Sequence, residues 1–422
     1  MEEKKYSLIQ LSMALSSAID LISKPLNDHH KQVAFIAYCI GHEMGLGDQH
    51  KEELVLASVL HDIGGLIYDE RVELLEFEDQ DHQQHAEIGY QLFKESTHFS
   101  RIAKIIRYHH VHWSKIENQT SNEVIPLESN VIHLADRVSI SIDKNKSIML
   151  QAKYITKKID EKCEKTFNPE VVKAFKSIAK KESFWLDLIT ILNTNLLSTL
   201  PIKDTKINIV ELEEITNIFA RIIDFKSNFT VVHSTGVAAV AERIAIKLNS
   251  TSQFCREIKI AGYLHDLGKL AIPNEILEKP GKLTEEEFDL IKSHTYYTYQ
   301  LLKDVKGLED INEYASYHHE RLDGTGYPFH LNGDQLKLGS RIMAVADVFT
   351  AITETRPYRK GMSGEQAREI LNRMSKSFAL DASIVNVVNR NFSEINQIRV
   401  EAQKKALEDR DNFSKFANAV NQ

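Results

Sequence analysis

The sequence predicts an all-α protein built from two helical domains in tandem. Three observations predict it. Only eight prolines interrupt 422 residues, and long stretches repeat apolar residues at the helical period. An ordered set of histidines and aspartates occurs twice, in one order and at nearly equal spacing. Between the copies, Leu196–Asn208 (LLSTLPIKDTKIN) breaks the helical pattern with a proline and polar residues. The expected domains are residues 1–198 and 209–422.

Composition narrows the functional classes. Apolar residues make up 42% of the chain, enough for a real core. A net charge of −8 argues against a general binder of duplex DNA or RNA. The opening MEEKKYSLIQLSMAL lacks the apolar core and cleavage site of a signal peptide. Apolar runs such as VAFIAYCI are too short to span a bilayer. A cytoplasmic protein without a membrane partner is expected. Cys39, Cys163 and Cys255 form neither a disulfide framework nor a zinc knuckle and are expected to be buried, small hydrophobes.

In the first half the recurring set is His29, His61-Asp62, His85, His109-His110 and Asp136, with steps of 32, 24, 24 and 26 (the last from His110). His30, beside His29, is an alternative for the first position. In the second half the set is His233, His265-Asp266, His294, His318-His319 and Asp347, with steps of 32, 29, 24 and 28 (the last from His319). Local text repeats too: LHDIGG with LHDLGK, RYHH with SYHH, HLADRV with AVADVF. Val210–Ile223 and Thr235–Leu248 read as helices. Thr284 and Glu287 form a capping box that should start the helix carrying His294. The Gly-rich Asp323–Gly333 must be a loop.

Imidazole and carboxylate ligands suit a divalent first-row metal. Two such ions about 3.5–4 Å apart can clamp an in-line attack on phosphorus. Asp266 has two oxygens and can bridge them. His233, His265 and Asp347 would complete the first ion's set, and His294, His318 and His319 the second's. The expected nucleophile is a metal-bridging hydroxide, its pKa lowered toward neutrality. Lys269, one turn beyond Asp266, can reach a bound phosphodiester.

Leu212–Arg390 resembles the HD-GYP branch of the HD phosphohydrolase superfamily. The resemblance rests on HDLGK at 265–269, KPGKLT at 279–284, HHERLDGTGYP at 318–328 and RPYR at 356–359. It implies a helical fold with a di- or trinuclear centre of iron or manganese. It implies hydrolysis of cyclic di-GMP or 3′,3′-cyclic GMP-AMP in bacterial second-messenger signalling. The seven second-half residues would be the metal ligands, and Lys269 would act with Asp266 in catalysis. Tyr327, Arg356 and Arg359 would bind the second phosphate; Asp323, Gly324 and Gly326 would line the substrate side or merely shape the turn, and Arg341 is either a substrate-site residue or a helix-surface charge. Trinuclear members carry an extra carboxylate where this chain has Phe229, so a dinuclear centre is expected. That form implies a linear dinucleotide as product.

The first half resembles an HD domain without the GYP features. It fills every ligand position with His29, His61, Asp62, His85, His109, His110 and Asp136. Gly65 takes the place of the lysine, VHWSKIENQT follows His110, and Asn145 and Ile148 stand where the RPYR arginines would be. Three readings compete there: a second metal-dependent phosphohydrolase such as a nucleotidase, a metal- or ligand-occupied regulator, and a structural relic; the filled ligand positions favour a second metal site. Two alternatives to the enzyme reading are a non-catalytic cyclic-dinucleotide sensor and a phosphohydrolase for another nucleotide phosphoester. The intact ligand set, Lys269 and the complete GYP loop favour catalysis.

Overall fold

The computed structural model describes residues 4–21, 28–66, 83–117, 124–190, 200–225, 232–279, 281–355 and 360–420. Nearly all regular structure is helical; the described strands are a single two-residue pair. No described helix is long and apolar enough to cross a membrane. The chain forms two compact units, one of residues 19–205 with 419–422, the other of residues 1–18 with 206–418.

In the first unit, helix His29–Glu43 packs on Asp48–Leu60 and Leu127–Ile140, and Gln83–Phe93 packs on Ser100–Arg107. Val33, Ile36, Ile40, Leu54, Ile106 and Val131 are fully buried between them. Each such side chain contributes about 1.5–3 kcal/mol. Helices Ile148–Asp160, Pro169–Ile178 and Glu182–Thr190 follow. The second of these starts on Pro169, with Asn168 accepting the orphan N–H of Glu170.

The second unit repeats the arrangement. Helix His233–Lys247 packs on Ser252–Leu264 and Leu338–Thr353, and Glu285–Leu302 packs on Glu309–Ser316. Thr284 and Glu287 form both halves of the expected capping box. The expected helices at 210–223 and 235–248 are Ile209–Phe225 and His233–Lys247. Residues 321–337 are non-helical, as the glycines require. Gly364–Lys376, Ala382–Arg390 and Phe392–Val420 close the unit.

Two expectations are corrected. Residues 1–18 belong to the second unit, not the first. Tyr6 and Ser7 pair antiparallel with Ile207 and Lys206, and the Gln10 side chain accepts the backbone N–H of Lys306. The pattern of one short strand cannot reveal a partner two hundred residues away. Among the cysteines only Cys255 is buried; Cys39, within helix His29–Glu43, and Cys163, beyond the end of Ile148–Asp160, are half-buried.

Candidate metal centres

In each unit the helices deliver the recurring residues to matching places. His29 and His233 open their helices. His61 and His265 cap the C-termini of Asp48–Leu60 and Ser252–Leu264. His109-His110 and His318-His319 lie in the turns after Ser100–Arg107 and Glu309–Ser316. Asp136 and Asp347 lie in helices Leu127–Ile140 and Leu338–Thr353. Gly64 and Gly268 explain the tight HD turn. A Cβ on either would stand 2.0 Å from the carbonyl oxygen of His85 or His294.

In the second unit all seven predicted ligands converge around Asp266. Its Oδ2 is 3.3 Å from His265 Nε2 and its Oδ1 3.6 Å from His294 Nε2. His233 Nε2 is 3.0 Å from Asp347 Oδ1, and His294 Nε2 is 3.4 Å from His318 Nε2. Donor atoms of His233, His265 and Asp347 form one tight group, and those of His294, His318 and His319 another. Backbone carbonyls fix the rings by accepting the Nδ1–H groups. Gly262 does so for His265, Ile291 for His294 and Ala315 for His318. Their Nε2 atoms are thereby aimed inward as acceptors.

The electrostatics fit a cation. Burial pushes the imidazoles of His294 and His319 down to about 3 and 4, so both are neutral donors near pH 7. Burial would raise the Asp266 carboxyl, but His265 and Lys269 hold it well below the usual range. Asp266 Oδ1 is buried without a hydrogen-bond partner. An orphaned carboxylate oxygen facing inward-aimed nitrogens is a site a divalent ion satisfies.

One edge of the cluster is open. His319 keeps 30% of its side chain exposed, whereas His265, Asp266, His294 and His318 are buried. Lys269 stands at that edge with Nζ 2.6 Å from Asp266 Oδ2. The Tyr327 ring stacks at a tilt on His319, centroids 4.9 Å apart, and its N–H donates to the His319 carbonyl. Burial raises the Tyr327 hydroxyl, which stays a neutral O–H donor. Gly326 lets the GYP loop close, since a Cβ there would stand 2.4 Å from Glu320 Cα. Asp323 accepts from Thr325 within the loop, Gly324 turns at a φ of 75°, and Arg341 bonds the carbonyls of Leu336 and Gly333 and the Asp381 carboxylate. These three shape the loop and do not join the cluster. Arg356, Arg359 and Phe229 lie outside the described residues.

The first unit's cluster is also complete. Asp62 Oδ2 is 3.2 Å from His61 Nε2, and its Oδ1 is 3.4 Å from His85 Nε2 and 3.8 Å from His109 Nε2. His110 Nε2 is 3.2 Å from His85 Nε2, and His29 Nε2 is 3.1 Å from Asp136 Oδ1. All seven are buried, and burial pushes His109 down to about 4. Gly65 leaves no lysine at the position of Lys269. Instead, the fully buried Arg137 donates to Asp136 Oδ2 at 2.6 Å.

Sequence reasoning passed over several neighbours. Glu354 accepts from His233 Nδ1 at 3.1 Å, and Gln403 of the last helix donates to Glu354 at 3.1 Å. Asp20 holds His30 through Nδ1. None belongs to the recurring text; only the offset of nine residues from Asp20 to His29 and from Asp224 to His233 could have signalled the aspartates.

The comparisons agree with this geometry. Models of the HD domain match residues 27–140 and 217–384. The 3′3′-cGAMP-specific phosphodiesterase 1 of Vibrio cholerae is 30% identical over 409 residues, covering 94% of this chain and 95% of that one. The chain belongs to the HD-GYP phosphodiesterases. HD domains bind divalent metals, and this HD-GYP enzyme carries a second HD domain in its first half. The cyclic di-GMP phosphodiesterase PA4108 of Pseudomonas aeruginosa is 42% identical over 149 residues, 35% of each chain, so this HD-GYP chain spans about a third of that relative. A crystal structure of a V. cholerae cyclic GMP-AMP-specific phosphodiesterase, V-cGAP3, shares the fold. Its TM-score is 0.63 at 22% identity, over 92% of this chain and 98% of that one.

Proposed function

We propose that the second unit of this HD-GYP enzyme hydrolyses one phosphodiester bond of a cyclic dinucleotide, giving a linear dinucleotide. The observation that carries the reading is the pair of donor groups sharing Asp266, open at the edge where Lys269 and Tyr327 stand. Relatives named for 3′,3′-cyclic GMP-AMP and for cyclic di-GMP supply the substrate class, and near full-length similarity to the former puts cyclic GMP-AMP first. His233, His265, Asp347 and one oxygen of Asp266 would hold one ion; the other oxygen with His294, His318 and His319 would hold the second. Iron or manganese suits these donors. Phe229 offers no donor for a third ion.

When bound, the ions polarise a phosphate oxygen and acidify water. The chain's own residues do the rest. Lys269 Nζ turns from Asp266 Oδ2 to a phosphate oxygen, where its charge stabilises the developing negative charge and steadies the leaving oxygen. Tyr327 donates its O–H to the substrate, and Arg356 and Arg359 take the second phosphate. Asp266 remains ionised and fixes the spacing of the two donor groups.

Turnover of both cyclic dinucleotides by Fe²⁺- or Mn²⁺-loaded protein, with products separated by chromatography, tests the reading. A linear dinucleotide is expected. No cleavage of either with metal bound would overturn it in favour of a sensor or another phosphoester.

For the first unit the reading is a metal-dependent phosphomonoesterase acting on the linear product. A full donor set without the lysine or GYP loop favours it. Phosphate release from the linear dinucleotide, lost in His61→Ala, is expected; its absence from metal-loaded protein would leave that unit a regulator.

A further inference from the structure

Besides Arg137, the first unit differs from the second at another buried position beside the donors. Asp20 and Asp224 occupy equivalent places, nine residues before His29 and His233. Asp224 accepts a hydrogen bond from Ser234 at 2.8 Å. At the matching place the first unit has His30, whose Nδ1 is held by Asp20. A hydroxyl suffices where only the aspartate needs a partner. His30 presents a second nitrogen as well.

That nitrogen faces the cluster. His30 is fully buried, and its Nε2 has no hydrogen-bond partner. It lies 3.9 Å from Asp62 Oδ2, the same distance as His29 Nε2. The rings of His29, His30 and His61 form a nearly equilateral triangle, with centroids 5.4, 5.5 and 5.3 Å apart. His29–His61–Asp136 and His30–His61–Asp62 are each tight donor groups. They share His61, which has one nitrogen to offer because Nδ1 is engaged with the Ser58 carbonyl at 2.8 Å. One nitrogen serves one ion, so both groups describe a single position.

We infer that His30 is a metal ligand of the first unit, held by Asp20, so that one ion there takes three imidazoles together with Asp62 and Asp136. The inference rests on the reading that this unit binds metal. The matching position in the second unit has two imidazoles, His233 and His265, with two carboxylates. The first unit's ion therefore has one fewer coordination position for water or substrate. The extra imidazole also tilts it away from manganese, which prefers oxygen, toward iron, cobalt or zinc. The aspartate–histidine pair is the usual means of fixing such a ring.

The test uses the full chain with Asp266→Ala emptying the second unit, titrated with Co²⁺ and Mn²⁺ against a chelator while Co²⁺ absorption is recorded. Adding His30→Ser installs the residue that the second unit carries. It is expected to weaken Co²⁺ at least about tenfold, change the visible band, and weaken Mn²⁺ less. His30→Asn, which keeps a partner for Asp20, is expected to match it, and Asp20→Asn to shift affinity the same way by less. Unchanged affinity and spectrum in His30→Ser, with binding still lost in Asp62→Ala, would overturn the role of His30 and leave the metal site standing. No Co²⁺ bound by the Asp266→Ala chain would overturn both.

Discussion

Lys269 Nζ lies 2.6 Å from Oδ2 of Asp266, so the cation of the second unit rests on the aspartate that both donor groups share. In the first unit the cation is Arg137, at the same distance from the late aspartate Asp136. The two units thus repeat their donors and not their charges. One positive group stands at the open edge, the other is fully buried.

Lys269→Ala is expected to keep its metal and lose about 10²–10³-fold in kcat. Metal content and steady-state rates separate this from Asp266→Ala, which should lose both. Full turnover in Lys269→Ala would remove the lysine from the mechanism.

Tyr327→Phe removes a hydroxyl and keeps the ring that packs on His319. KM for the cyclic dinucleotide should rise while metal content stays unchanged. A fall in bound metal would mean that Tyr327 supports His319 and not the substrate.

Glu354 and Gln403 tie the last helix to His233 and are expected to orient that ring. Glu354→Ala should weaken metal in the second unit about 10–100-fold, and Glu354→Gln should recover part of it. Chelator competition on the Asp62→Ala chain reads the second unit alone. Equal affinity in all three would show the contact to be structural.

Gly268→Ala places a methyl group against the His294 carbonyl, and Gly64→Ala does the same at His85. Each should destabilise its own unit by about 1–3 kcal/mol. Metal affinity, read unit by unit, should fall only where the alanine stands.

Cys39 offers a pH-dependent check on packing. Burial pushes its thiol up to about 12, so the thiolate is scarce below that pH and lost further as pH falls. Alkylation near pH 8 should be far slower than for an unstructured cysteine and recover in denaturant. Rapid alkylation of native protein would contradict the packing.

The clustering of these histidines and aspartates was legible because each half repeats them in one order at nearly equal spacing. The capping box at Thr284 and the loop at Asp323–Gly333 were legible because their chemistry is local. Glu354 and Gln403 were not, since their role comes from helices meeting 49 residues apart in sequence. Asp20 was not, since only a folded first unit turns it toward His30. The half-burial of Cys39 and Cys163 was not legible, because composition reports habit, whereas exposure depends on the packing around each residue.

The pairing of Tyr6 with Ile207 gives the chain an order of assembly. A nascent chain completes the donors of its first unit, from Asp20 to Asp136, before Ile207 exists. Tyr6 must then wait some two hundred residues for its strand partner, and Val232, beside His233, must wait for the last helix, whose Gln403 donates to its carbonyl. Folding during synthesis therefore favours the first unit. A fragment begun at residue 209 would lack both strands of the pair, so the second unit keeps them only if residues 1–18 and 206–208 are retained with it.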